Sequence, residues 1–291
     1  MNYFLNIPNN KLPLQSSGLF NLINIGAGTT YVQRKLIKDG LKGYEPETQA
    51  ALCSLIDPID DSLVFYDIGA HIGLYTLLIS SIFAHKRISC FAFEPTPSTA
   101  EIAMHLRDLN RKSYTILKKA VSSELGQINF YLSPKAETSN SLNPNFRPGG
   151  ESIVVEQTTI DYLVSSGLPP PNIIKIDVET YEYQVLFGGL NTITNFRPFI
   201  ICELLPNNSS NNIEDSINLL RNLDYKIYSI RKDKSPELIK FDDLSKSRTH
   251  THRDWLFAPN ELPESYLKKN YIWRQKIMDC AKVFQLINDQ P

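Results

Sequence analysis

The sequence predicts an α/β protein: a mostly parallel sheet covered by helices on both faces, with helical additions at both ends. Two observations predict it. Between residues 63 and 205, continuous apolar runs alternate with amphipathic helix-like segments, the pattern of strands buried on both faces. The first of those runs, LVFYDIGA, ends in a glycine turn and opens directly into a helix-like segment, the punctuation of a βα unit.

Each element follows from local signals. EPETQAALCSLI (45–56) is the clearest helix of the segment before residue 63. LVFYDIGA (63–70) is the first strand and GLYTLLISSIFA (73–84) the helix it feeds. ISCFAFEP (88–95) is the next strand, stopped by Pro95. PSTAEIAMHLRDLN (97–110) has Ser98 or Thr99 as N-cap, Glu101 close behind, and Ile102, Leu106 and Leu109 on one face. SYTILKKAV (113–121) reads as a third strand. INFYLSP (128–134) and SIVVEQTTI (152–160) are further β-rich runs, parted by a polar loop. NIIKIDVE (172–179) leads into helical YEYQVLFGGL (181–190), and RPFIICELL (197–205) is another buried strand. NIEDSINLLRNLD (212–224) is a helix, while YKIYSIR (225–231) and RDWLFAP (253–259) are strands. ESYLKKNYIWRQKIMDCAKVFQLI (264–287) reads as one long aromatic and basic helix. With no internal repeat and no low-complexity linker, the expected division is a helical cap at 1–62, one α/β domain at 63–260 and a C-terminal helix at 261–291.

Composition excludes several classes of partner. The 291 residues are 42% apolar and 21% charged, enough for one large core or two small ones, and the formal net charge is -1. That balance supplies no electrostatic argument for nucleic acid or an anionic membrane. The opening MNYFLNIPNNKLPLQ lacks a basic segment followed by an apolar stretch, and no run approaches the ~18 apolar residues of a membrane span. Cys53, Cys90, Cys202 and Cys280 lie far apart with no C-x-x-C pair. A cytoplasmic protein with reduced thiols is expected.

The turn after the first strand indicates a ligand. In an open parallel sheet, ligands bind beyond the carboxyl ends of the strands. A dinucleotide fold offers G-x-G-x-x-G, whose bare N–H groups face a doubly negative pyrophosphate. Here FYDIGAHIGLYT reads D-x-G-x-x-x-G, and Asp67 repels phosphate but welcomes a cation. S-adenosylmethionine (SAM) has no phosphate, carries a sulfonium and an ammonium, and needs close backbone approach. Glu94 ends the second strand 25 residues after Gly69, near the ~20-residue spacing at which an acid accepts ribose hydroxyls. The bland alternative is that Asp67 and Glu94 only cap strand ends.

FYDIGAHIGLYT, FAFEPTPS, KAVSSELGQINFYL, QTTIDYL, NIIKIDVETYEYQVLFGGL and RPFIICEL stand in an order that resembles the FkbM-type methyltransferases, over about residues 44–258. The resemblance implies a class I, Rossmann-like, SAM-dependent fold with a mostly parallel seven-stranded sheet. It also implies methylation of a hydroxyl on a sugar, glycolipid or natural product. Asp67, Gly69, Ala70, Gly73, Glu94, Pro95, Ala120 and Val121 are then the expected cofactor residues. One departure stands out: the family pattern commonly has Gly after DVE, where this chain has Thr180, a β-branched residue that resists positive φ.

A hydroxyl is too weakly acidic to attack unaided, so the site needs a general base, contributing ~10²–10⁴-fold. Asp177, Glu179 and Glu203 fall at strand ends and Glu182 opens the next helix, on the face where transfer would occur, and Asp177, Glu179 and Glu203 are the expected catalytic acids. Their hard oxygens also suit Mg²⁺ or Ca²⁺, although no close D-x-D pair is present and the metal reading is not favoured. Two structural alternatives stand beside this: Lys175 alternates with Asp177 and can pair with it, and Glu179 and Glu182 can favour a helix N-terminus. His71, inside the glycine turn, is the further catalytic candidate, a base expected at the cofactor or acceptor edge, a local capping role being the alternative. The H-x-H of His250 and His252 has no third metal ligand in sequence reach. Tyr44 and Glu45 either close over the cofactor or begin a helix. The lone G-x-G of NIGAGTT (24–30) has no adequate strand before it and reads as a loop.

The loop SPKAETSNSLNPNFRPGG (133–150) is longer than the ~12–15 residues of an ordinary connection and is expected over the transfer site. Its Asn140, Ser141 and Asn143 suit a polyol, and Phe146 offers a face for a sugar ring. The partner is thus a small-molecule, sugar or glycolipid acceptor, with a homo-oligomer possible. The rival functions are a catalytically silent SAM-binding or partner-binding domain and an NAD-linked oxidoreductase, which lacks its pyrophosphate loop.

Overall fold

The computed structural model describes residues 2–8, 21–134, 137–146, 148–205, 212–231, 237–239, 249, 252–280 and 283–285. The chain opens with β1 (Tyr3–Ile7), β2 (Asn21–Asn24), α1 (Tyr31–Asp39), a 3-10 turn at Gly40–Gly43, and α2 (Pro46–Ile56). β3 (Leu63–Ile68), α3 (Leu74–Ile82), β4 (Ile88–Phe93), α4 (Pro97–Leu109) and β5 (Thr115–Leu117) follow. An inserted unit holds β6 (Ala120–Val121), β7 (Gly126–Tyr131) and β8 (Ser152–Thr158). Then come α5 (Ile160–Ser165), β9 (Ile173–Ile176), α6 (Glu182–Phe187), α7 (Leu190–Phe196) and β10 (Phe199–Glu203). The last part runs α8 (Asn212–Asn222), β11 (Lys226–Ser229), β12 (Glu237–Ile239), β13 (Asp254–Ala258), α9 (Glu264–Asp279) and β14 (Val283–Gln285).

Among the described residues the central sheet runs β5-β4-β3-β9-β10-β13-β11-β12. β3, β4, β5, β9 and β10 are parallel, β13 is antiparallel to both neighbours, and β12 adds an antiparallel edge. The strands from β5 to β11 supply the expected seven-stranded class I methyltransferase sheet; β12 is an eighth. Strand alternation sorts the core into two layers. Phe65, Ala92, Ile173 and Leu256 pack with residues of α2, α3, α4 and α9. Tyr66, Ile68, Phe93, Ile174, Ile176 and Cys202 pack with residues of α5, α6, α7 and α8.

The expected helices are present at both ends, as α1, α2 and α9, and strands accompany them. β1 pairs antiparallel with β2 and with β14, so the N-terminal segment carries strands, and a strand precedes the G-x-G at Gly26 and Gly28. The tail helix stops at Asp279 and the chain becomes a strand again. α9 also packs on α2, with Trp273 set 5.4 Å from Phe83 of α3, so the two additions form one layer against the sheet. Other differences are local. The expected third strand breaks at Lys118 and Lys119: Thr115–Leu117 joins the central sheet and Ala120–Val121 the small one. The β-rich runs at 128–134 and 152–160 pair with each other rather than with the main sheet. α4 takes Thr96 as its N-cap residue, with Pro97 at its start. The helix at 181–190 is cut at Gly188, where a Cβ would stand 2.0 Å from the Ser122 carbonyl oxygen, and α7 begins after it.

Candidate active site

A cavity of about 260 Å³ opens over the carboxyl ends of β3, β4, β9 and β10, where the strand order reverses. The glycine turn forms one lip. Gly69 has φ 79, its N–H donates to Phe93 O at 3.0 Å, and a Cβ there would stand 1.8 Å from the Asp177 carbonyl oxygen. Only glycine allows this crossing of β3 against the end of β9. Gly69 and His71 line the cavity; Asp67, Ala70 and Gly73 do not. Those three build the turn instead. Gly73 donates to Ala70 O at 2.8 Å and starts α3. Asp67 is fully buried beneath, where its Oδ2 accepts from the Thr76 N–H (3.3 Å) and hydroxyl (2.8 Å). Its Oδ1 has no hydrogen-bond partner among the described residues.

Glu94 lines the cavity at the end of β4. Its Oε2 accepts the His71 N–H at 2.9 Å and its Oε1 the Thr96 N–H at 2.8 Å. Burial pushes its carboxyl above the usual range, while these bonds draw it back. Pro95, Ala120 and Val121 line the same end of the cavity, joined by Phe93, Phe130 and Leu142, which sequence reasoning did not single out. The small sheet explains the arrangement, since it carries Ala120, Val121 and Phe130 to the mouth together.

The opposite end is charged. Strand alternation throws Asp67, Lys175, Asp177, Glu203 and Asp254 onto one face of the sheet, with Asp67 beside Lys175 and Glu203 beside Asp254. Lys175, 3% exposed, sits 2.8 Å from Asp177 Oδ2 and 4.6 Å from the Tyr75 ring centre. The expected structural pairing of Lys175 and Asp177 is therefore present, and Asp177 lines the cavity as well. Burial works against the Asp177 charge, but Lys175, with Arg253 and Glu203 behind it, outweighs burial and holds the carboxyl below the usual range. Burial, then the neighbouring Asp177, push Glu203 well above it, and its carboxyl oxygen lies within 4.8 Å of an Asp177 oxygen. Arg253 Nε lies 2.6 Å from Glu203 Oε1, and its Nη2 3.3 Å from Glu45 Oε1. Tyr44 and Glu45 line the cavity, and Glu45 also stands at the N-cap position of α2.

Asp177, Glu179 and Glu203 bring carboxylate oxygens within 4.8 Å of one another. The donor set is that of a hard divalent ion. An ammonium and a guanidinium already hold two of the three, however, and a metal would have to displace both.

The DVET turn is strained. Glu179 and Thr180 both have positive φ, 54 and 80, and a β-branched residue there is a marked outlier. Its surroundings impose it: Thr180 N–H donates to Glu182 Oε1 (3.0 Å), Ser141 Oγ to Glu179 O (2.6 Å), and Asn143 Nδ2 to Thr180 Oγ1 (2.9 Å). Glu182 thus supports the turn and does not line the cavity. Ser141 and Asn143, expected to meet an acceptor, are committed to this support. Thr138, Ser139, Asn140 and Leu142 of the same loop do line the cavity. His252 bonds the Thr249 hydroxyl, outside the cavity lining, and His250 lies outside the described residues.

The family model described as Methyltransferase FkbM domain matches residues 67–227. The chain belongs to this family. A curated relative, the hexuronic acid methyltransferase AglP of Haloferax volcanii, is 31% identical over 151 residues, covering 52% of this chain and 59% of that protein. The match thus spans less than two thirds of the relative. Among solved structures, the FkbM methyltransferase of Methylobacillus flagellatus KT has a TM-score of 0.47 at 15% identity, covering 68% of this chain and 44% of that one. Aeropyrum pernix fibrillarin, in complex with S-adenosyl-L-methionine, has a TM-score of 0.44 at 10% identity, covering 88% and 98%. Tyr44, Glu45, Arg253 and Asp254 fall outside the segment matched to the FkbM family.

Proposed function

We propose that this protein transfers the methyl group of SAM to a hydroxyl of a sugar acceptor. The observation that carries the reading is the Asp177–Glu203 pair, two carboxyls with oxygens within 4.8 Å of each other at the charged end of the cavity. When bound, SAM supplies a methyl group on a cationic sulfur and leaves as a neutral thioether. The residues suit it: Glu94 keeps lone pairs for ribose hydroxyls, Pro95, Ala120 and Val121 wall an apolar slot, and the acids at the far end favour a cation. The hydroxyl proton passes to the carboxyl pair as the oxygen takes the methyl.

The AglP name supports a sugar as acceptor. The acid pair supports its hydroxyl rather than a carboxylate, because a carboxylate needs no base and is repelled by Asp177. The test is transfer from methyl-labelled SAM to a panel of hexose and hexuronic acid glycosides, followed by mild alkali. An alkali-stable methyl ether is expected. An alkali-labile ester would reverse the hydroxyl assignment, and no transfer to any sugar would reverse the acceptor class. Incubation with EDTA separates base from metal: full turnover is expected, and loss restored by Mg²⁺ would overturn the base reading.

A further inference from the structure

We propose that Glu45 and Arg253, one on each side of the family-matched segment, act together as positioning residues for the Asp177–Glu203 pair. The proposal rests on the methyl-transfer reading above. Arg253 spans two acids brought together from distant parts of the chain, with Nε on Glu203 at 2.6 Å and Nη2 on Glu45 at 3.3 Å. Tyr75 Oη donates to the other Glu45 oxygen at 2.6 Å, so that carboxylate is held from two sides. Glu45 stands at the N-terminus of α2 with φ 45, yet its side chain does not cap the helix. A non-glycine residue stays in that region only where its surroundings over-determine it. Here the guanidinium and the tyrosine do so.

The consequence falls on Glu203. Its Oε1 is anchored to Arg253, so the carboxyl is held beside Asp177 on a fixed side chain rather than a mobile one. Lysine would supply the charge without the fork that reaches both acids. Many groups face the pair: Lys175 on its own strand, Asp67 from β3, Tyr75 from α3, Glu179 and Glu182 from the DVET turn and α6. The Cys202 thiol, Asp254 and Tyr44 complete the surroundings. Among the described residues, Lys175 and Arg253 are the cations that oppose these acids, and Arg253 is the one whose placement depends on Glu45.

The test is a ¹³C-carboxyl NMR titration of the full chain labelled at aspartate, with R253Q, E45Q and R253K beside wild type. Arg253 is one of the cations that favour the Asp177 carboxylate, so R253Q should raise the Asp177 midpoint, by about one unit. E45Q should move it the same way by less, and R253K, which keeps the charge without the fork, should leave it between R253Q and wild type; full recovery in R253K would reduce the role of Arg253 to its charge alone. E45Q decides the matter if R253Q fails to fold. An Asp177 midpoint unmoved in every folded variant overturns the proposal. SAM binding by wild type, measured by calorimetry, separately judges the methyl-transfer reading, because the titration needs neither SAM nor acceptor.

Discussion

Replacing Asp177 by Asn tests the charged floor most directly. The change removes the counterion of Lys175, which is 3% exposed and 2.8 Å away, and leaves its ammonium buried. Breaking a buried pair from one side costs about 3–5 kcal/mol. Asn keeps one neutral acceptor for the ammonium, which places the expectation near the lower end, about 3 kcal/mol. Against a typical total of about 5–15 kcal/mol, the variant should fold but unfold at clearly lower urea. K175M/D177N removes the stranded charge together with its partner and should recover most of that loss. Both proteins should lose at least ~10²-fold in methyl transfer, because neither retains the ionised acid. The two readouts fail separately. A D177N chain destabilised by less than about 1 kcal/mol would show that the pair is not energetically coupled. A K175M/D177N chain with wild-type turnover would remove Asp177 from the chemistry.

Three further outcomes follow from the geometry. Glu94→Gln leaves one backbone N–H facing an amide donor and weakens ribose acceptance, so SAM affinity by calorimetry should fall by at least about tenfold, the worth of one charged hydrogen bond; unchanged affinity would move the ribose elsewhere. Burial raises Glu182 to about 7, so the folded state holds its proton more tightly than the unfolded chain. Its contribution is fully present below about pH 4 and is lost as pH rises towards about 7. Urea midpoints in that window should fall with pH in wild type and fall less in E182Q, and equal slopes would contradict the assignment. Thr180→Gly relieves about 1–3 kcal/mol of backbone strain and gives up one hydrogen bond of about 1 kcal/mol, for an expected net gain in thermal stability. A loss there would mean that the turn is not strained.

Some of this was legible in the chain and some was not, for physical reasons. Period-2 alternation puts Lys175 and Asp177 on one face, so their pairing could be anticipated from residue spacing alone. The glycine turn and Glu94 were equally visible, because short-range geometry decides them. The role of Gly69 was only half visible: the sequence indicates an unusual backbone, but not that the Asp177 carbonyl is what crowds it. Glu45 and Arg253 could not be found this way. They are 208 positions apart, and no local pattern announces a contact of that range. The same limit hid the pairing of β7 with β8, since a β-rich run does not name its partner. It also hid the use of Ser141 and Asn143, whose polarity serves the DVET turn as readily as it would serve a ligand.

The pairing of β1 with β14 bears on the order in which the molecule can be completed. β1 is the middle strand of its sheet, flanked by β2 and by a strand almost the whole chain away. During synthesis residues 3–7 emerge early but wait for residues 283–285, with one row of N–H and C=O groups unpaired until then. An open strand edge is a template for another chain. Closure of a contact this distant in sequence is also slow, because the loop entropy is lost before the pairing returns anything. Chains that stop short of β14 should therefore associate through β1 while their central sheet is already formed. Crowded nascent chains are the place where such association would first be seen.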